Sequence, residues 1–263
     1  MMSAWRYAAA SAVGTSHVKQ QRSCEDAHRC EVLQTAAGEA VLAAFVSDGA
    51  GSALRAEAGS ELACSLALDE VRNHLAAGGG IADLDIPFVT AWLARLRTEV
   101  IARAEAEGLR PREFACTLLG AVVGSTTAAF FQIGDGAIVV SAPKGQDMKQ
   151  TEEYRWVFWP ASGEYENSTY FATEANAAEH LQHAYVEQPI DELALFSDGL
   201  QRLVLDFRNR TAPAPFFRSM LSWVRTDSGA EPLSDRLSEH LSSPLINDRA
   251  DDDKTLILAT RRQ

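Results

Sequence analysis

Apolar and polar positions fall into blocks along this chain, and the period of the pattern changes from block to block. Residues 5–14 form a first apolar stretch that ends at Gly14, residues 27–33 a second, and residues 40–47 (AVLAAFVS) a third. The third is apolar from Val41 to Val46, with β-branched, aromatic and small side chains, and predicts a strand buried on both faces. Residues 17–25 read as polar and irregular. Strands this close in sequence favour antiparallel hairpins over βαβ crossovers. The period then lengthens. Residues 53–75 carry apolar positions at Leu62, Leu66 and Val71 and stop at the AGGG run, 77–80. Asp83 is a candidate cap for a second helix over 86–106, whose stripe includes Val89, Trp92, Leu93, Leu96 and Val100. Strand patterns return at 114–123 and 126–133, separated by the hairpin signal Gly124-Ser125, and then at 137–142 and 154–159. Residues 143–153 read as a loop and 160–185 as irregular. Residues 193–196 predict a buried strand, 216–224 and 233–241 helices, and 255–260 a last strand. The order of strands, two helices, strands, helices and strand predicts one α+β domain over 1–263, with two packed antiparallel β-sheets flanked by helices.

The chain has 263 residues, 46% of them apolar, enough for a substantial core. Its formal net charge is −12, from 24 basic and 36 acidic residues, which argues against a nucleic-acid or anionic-membrane partner. Cys24, Cys30, Cys64 and Cys116 form no CxxC pair and have no histidine cluster nearby, so they read as idle thiols in a reducing compartment rather than as a zinc site. No run approaches the ~20 apolar residues of a membrane span. A cytoplasmic protein is the expectation.

The chemistry is concentrated in carboxylates at strand ends. Asp48 follows the buried third strand in the context SDG, and Asp198 follows residues 193–196 in the same context. Glu25-Asp26 precedes the second strand and Asp251-Asp252-Asp253 the last. A carboxylate at the end of a buried strand is costly unless something positive meets it. Carboxylate oxygens, backbone carbonyls and water are what Mg²⁺ and Mn²⁺ prefer. A pair of such ions activates water near neutral pH and suits hydrolysis of a phosphate ester. The plainer reading stands beside this one. Asp-Gly after a strand is commonly a turn, and an Asp run is commonly a solvated surface. Gly134-Asp135-Gly136 is read as a structural turn. The combination of four acidic sites with two near-identical SDG contexts favours the metal reading.

The series RSCEDA (22–27), VSDGAGS (46–52), FACTLLGAVV (114–123), IGDGA (133–137), LFSDGL (195–200) and DDKTLIL (252–258) resembles the metal-dependent protein phosphatases of the PP2C type. Its order and spacing extend over nearly the whole chain. GTSH (14–17), DGAGS (48–52) and GEYENSTYF (163–171) are similar to a bacterial branch of short, stand-alone domains. The resemblance implies an αββα sandwich and a two-metal centre holding Mn²⁺ or Mg²⁺. In that centre Asp48 bridges both ions, the Gly49 carbonyl binds one, and Asp198 and Asp252 hold the other. Glu25 and Asp26 act through water. A bridging water attacks phosphorus, and Asp48 and Asp198 are the residues catalysis depends on most. Phosphorylated serine and threonine proteins and a cognate Ser/Thr kinase are the implied partners, and a monomer the expected state.

Three departures from the family pattern matter. The slot for the phosphate-clamping arginine holds Gln21, which leaves Arg22 or His17 as candidates, each equally readable as a loop residue. Ala50 stands where animal relatives place a histidine that acts as general acid. Glu113 lies near the acid that holds a third metal in bacterial relatives. Residues 142–184 correspond to the family's flap, and the aromatic residues of 163–171 suit either a cleft rim or a packed loop. The alternative function is a catalytically weak relative that binds phosphoproteins or regulators. The joint presence of Asp48, Asp198 and Asp252 favours turnover.

Overall fold

The computed structural model describes residues 5–141, 153–160, 169–226 and 232–262. In chain order the elements are β1 (Arg6–Ala12), α1 (Thr15–Lys19), β2 (Ala27–Gln34), β3 (Ala40–Ser47), α2 (Ala56–Ala76), α3 (Ile86–Glu107), β4 (Leu118–Val123), β5 (Ala128–Ile133), β6 (Ala137–Ser141) and β7 (Tyr154–Trp156). They continue with β8 (Gln182–Val186), β9 (Glu192–Phe196), α4 (Asp198–Val204), α5 (Ala214–Thr226), α6 (Leu233–Leu241), α7 (Pro244–Asn247) and β10 (Lys254–Thr260). Two antiparallel five-stranded sheets form, in the orders β1-β10-β9-β6-β7 and β2-β3-β4-β5-β8.

The alternation along β3 shows how the layers assemble. Successive strand side chains point to opposite faces. Leu42, Ala44 and Val46 pack with Leu119 and Ala121 of β4 and with Ile138, Leu195 and Ile257 of the other sheet, filling the space between sheets. Val41, Ala43 and Phe45 face the other way, onto Cys64 and Val71 of α2 and Trp92 and Leu96 of α3. Trp92 meets the ring of Phe131 edge-on at 4.9 Å. The opposite outer layer sets α4, α5 and α6 on β1, β9 and β10, with Phe217, Leu221 and Leu237 against Ala10, Phe196 and Leu258. The expected αββα sandwich is therefore present.

Several segments differ from expectation for local reasons. Residues 17–25 contain a helix, α1, because the Ser16 N–H and hydroxyl both donate to the Asp251 carbonyl. The strand expected from 114 starts only at Leu118, since Pro111–Phe114 is a 3₁₀ turn. Residues 182–186 form β8, a half-exposed edge strand along β5 whose weak alternation hides it. The cap of α3 is Asp85, whose carboxylate accepts the Phe88 N–H at 2.9 Å, while Asp83 accepts from Gly80. Of the flap-like stretch, 142–152 and 161–168 lie outside the described residues. Among the described residues, no helix is long and apolar enough to cross a membrane.

Candidate metal centre

Asp48 is fixed by its backbone. Its carbonyl accepts the Thr117 N–H at 2.8 Å, and its own N–H donates to Thr117 Oγ1 at 2.9 Å. Ser47, fully buried, donates its hydroxyl to the Thr117 carbonyl. Gly49 then passes so close to its neighbours that a Cβ there would stand 2.7 Å from the Glu25 carbonyl oxygen and 2.8 Å from Ala56. Only glycine fits. The Gly49 N–H donates to the Glu25 carbonyl, and among the described residues no backbone donor takes the Gly49 carbonyl.

The second SDG serves a different local purpose. Ser197 is buried, donates to Asp26 Oδ2 at 2.7 Å and accepts the Thr255 N–H at 3.0 Å, joining the ends of β9, β2 and β10. A Cβ on Gly199 would stand 2.0 Å from the Asp253 carbonyl oxygen.

The three-aspartate run divides by depth. Asp251 is exposed and gives its carbonyl to Ser16. Asp252 is exposed on the rim of the cleft. Asp253, 3% exposed, accepts the Gly14 N–H and the Glu25 N–H, both at 2.6 Å. His17 Nδ1 stands 2.9 Å from its Oδ2, off the line of a directed hydrogen bond. Asp253 therefore ties the start of β10 to both ends of the loop that carries α1.

These constraints open a cleft of about 1140 Å³ lined by Asp48, Gly49, Asp135, Asp198, Asp252 and His17 among others. Asp48 and Asp198 are partly accessible from it. Burial holds the Asp48 carboxyl well above the usual carboxylate range, reinforced by the charges of Asp26 and Asp198. Asp26 lies deeper, and burial pushes it up to about 7 despite its bond from Ser197. Burial and the Asp198 charge push Asp135 to about 6. Asp26 Oδ1 and Asp198 Oδ1 are buried without a hydrogen-bond partner. Such crowded, under-satisfied oxygens are what a bound cation relieves. Among the described residues, no three His, Cys, Asp or Glu side chains are gathered closely enough to hold an ion alone. The fit is to an ion that takes one or two carboxylates and completes its shell with a carbonyl and water, as Mg²⁺ does.

The remaining sequence candidates are placed elsewhere. Arg22 clasps the Glu25 carboxylate, with Nε at 3.0 Å from Oε1 and Nη2 at 2.6 and 2.7 Å from the two oxygens. Neither residue lines the cleft. Glu113 accepts the Leu54 N–H at 3.3 Å and pairs with Arg112, beside the turn before α2 and away from the cleft lining. His17 does reach the cleft wall. Of GEYENSTYF, 163–168 lie outside the described residues. Thr169 and Phe171 line the cleft, whereas Tyr170 stacks on His180 at 3.5 Å. Sequence reasoning missed Asp135 and Asp253. Asp135 sits in a bend, as expected of GDG, yet its carboxylate joins the others. Its position two residues after a buried, largely apolar strand was the available signal.

Comparison with known proteins gives concordant results. Residues 13–242 match the model of the family described as protein phosphatase 2C. The chain is 34% identical over 257 residues to serine/threonine-protein phosphatase 3 of Escherichia coli (strain K12), covering 97% of this chain and 98% of the relative. Its fold is similar to that of a serine/threonine phosphatase from Staphylococcus aureus, with a TM-score of 0.60, 16% identity and coverage of 100% and 96% of the two chains. It is also similar to PppA of Pseudomonas aeruginosa, with a TM-score of 0.61, 20% identity and coverage of 98% of each chain.

Proposed function

The chain belongs to the protein phosphatase 2C family, and from that membership and the carboxylate cleft we propose that it is a metal-dependent phosphatase that hydrolyses phosphoserine and phosphothreonine in proteins. The observation that carries the metal dependence is that Asp48, Asp135, Asp198 and Asp252 line one cleft, with Asp198 Oδ1 and the nearby Asp26 Oδ1 buried and without a hydrogen-bond partner. Anions so placed repel a phosphate unless cations intervene.

Two Mn²⁺ or Mg²⁺ ions would be held by Asp48, the Gly49 carbonyl, Asp198 and Asp252, with Glu25 and Asp26 acting through water. Asp135 lines the same cleft and is better placed than Glu113 for a third. When bound, such ions supply Lewis acidity at phosphate oxygens and lower the pKa of water. The protein holds its donors rigid. The Thr117 clamp fixes Asp48, Ser197 orients Asp26, and Asp253 anchors the loop bearing Glu25. Ala50 offers no proton, so the leaving oxygen takes its proton from water or from another group of the cleft. Phosphorylated cytoplasmic proteins and a cognate Ser/Thr kinase are the partners this reading expects, with the phosphatase acting as a monomer.

The test is hydrolysis of p-nitrophenyl phosphate and of a phosphothreonine peptide in Mn²⁺ and in EDTA, for wild type and Asp48→Asn. Wild type should turn over only with metal, and the variant should lose at least about 100-fold, as expected for disturbance of a metal shell. Activity in EDTA, or an equally active variant, overturns the two-metal reading. Phosphopeptide binding without turnover in any metal would assign the chain to the non-catalytic alternative.

A further inference from the structure

The departure at Gln21 leaves the phosphate without an obvious arginine, and the structure removes the nearest substitute. Arg22 already spends its fork on Glu25, and no part of it lines the cleft. Two other arginines do line the cleft, Arg202 and Arg210. Arg210 is committed to packing. Its guanidinium lies 5.3 Å over Trp159 and 6.0 Å over Trp156, and its carbonyl accepts the Trp156 Nε1–H at 2.9 Å. Arg202 differs. It lies four residues after Asp198 on α4, hence on the same helix face one turn along. It is exposed and has no ion pair or hydrogen bond among the described residues. An unpaired guanidinium one turn from a cleft carboxylate, in a protein of net charge −12, is available for an anion. Its planar fork matches two phosphate oxygens.

The wall beside it is aromatic. Phe207, 45% exposed, meets Trp159 edge-on at 5.2 Å. The turn that presents Phe207 is closed by paired backbone bonds between Asp206 and Thr211, so the shelf is preformed.

We propose that Arg202 grips the phosphate of the substrate from the α4 wall of the cleft, and that Trp159, Phe207 and Arg210 form a shelf for an apolar or aromatic side chain next to the phosphorylated residue. This rests on the phosphatase reading above and names its substrate class: phosphopeptides with a large apolar neighbour. Bidentate contact explains why Arg22 is free to neutralise Glu25 instead.

The experiment compares wild type, Arg202→Ala, Arg202→Lys, Arg22→Ala and Arg208→Ala in Mg²⁺. Arg208 lies in the same turn but outside the cleft lining and controls for loss of charge. The measurements are KM and kcat for p-nitrophenyl phosphate and for a phosphothreonine peptide with an adjacent Phe, together with calorimetric titration of inorganic phosphate. Arg202→Ala should raise KM and the phosphate Kd about tenfold, Arg202→Lys should recover part of that, and Arg208→Ala should behave as wild type. Phe207→Ala should raise KM for the peptide more than for p-nitrophenyl phosphate. Phosphate affinity and KM within about twofold of wild type for Arg202→Ala overturn the proposal, as does an equal loss in Arg208→Ala. A tenfold loss confined to Arg22→Ala returns the clamp to the N-terminal loop. Each of these outcomes leaves wild-type turnover intact, whereas a wild type inactive in every metal sinks the phosphatase reading and this inference with it.

Discussion

Substituting Asp253 by asparagine tests whether the loop before β2 is held by one buried carboxylate. Asp253 is 3% exposed and accepts the N–H groups of Gly14 and Glu25, one on each oxygen, both at 2.6 Å. Asparagine keeps one acceptor and turns an NH₂ group toward the other N–H. One charge-assisted bond, of about 1.5–3 kcal/mol, is lost, and a buried donor is left unsatisfied at a further cost of about 1–3 kcal/mol. The expected destabilisation is about 3–5 kcal/mol, a large fraction of a typical total of about 5–15 kcal/mol. In thermal unfolding this is a drop on the order of 10 °C. Asp252→Asn, one residue away but exposed on the rim, should move the midpoint by less than about 2 °C. Differential scanning calorimetry in EDTA measures both without interference from metal. Equal midpoints for the two variants would refute the argument, because it depends entirely on the difference in depth between adjacent aspartates.

Other outcomes follow from the same geometry. Asp26 rises from its ordinary 3.8 to about 7 on folding, so the native state holds its proton more tightly than the unfolded chain. The stability this contributes is whole below about pH 4 and is lost as pH climbs toward 7. In EDTA the melting temperature should therefore fall between pH 5 and pH 8, less steeply in Asp26→Asn, and added Mg²⁺ at pH 8 should restore it. An unchanged slope in Asp26→Asn would show that Asp26 does not carry the effect. Gly199→Ala places a methyl group 2.0 Å from the Asp253 carbonyl oxygen and should cost about 1–3 kcal/mol or more while weakening Mg²⁺ binding in calorimetry. A variant with wild-type stability would mean the two backbones do not approach so closely.

Much of this was legible from residues alone. The apolar runs located β3, β5 and β10 to within a residue or two, because those strands are buried along nearly their whole length. The strand-end aspartates Asp48, Asp198 and Asp252 marked the cleft as a set, since any one of them alone reads as an ordinary turn. Depth was not legible. DDD reads as solvent-facing, yet its third member is the buried hub, and only the pairing of β10 with β1 and β9 decides which aspartate turns inward. Asp135 was hidden by a turn that is also real. The pairing of Arg22 with Glu25 was not legible, because spacing along the chain says nothing about which nearby carboxylate will occupy a guanidinium. The edge strand β8 lacked a buried face to impose a pattern.

The placement of the Asp253 hub bears on how the protein comes into being. β1 lies at the edge of its sheet and pairs with β10, the last strand made, and the Gly14 contact with Asp253 spans 239 residues. Such distant closure is slow and comes late in folding. During synthesis, at roughly 5–20 residues per second, the first strand waits roughly 10–50 s for its partner. Until then Asp253 is not there to accept the Gly14 and Glu25 N–H groups, and the loop bearing Glu25 and Asp26 has no anchor. On the proposed reading, the cleft is assembled only once β10 has paired with β1.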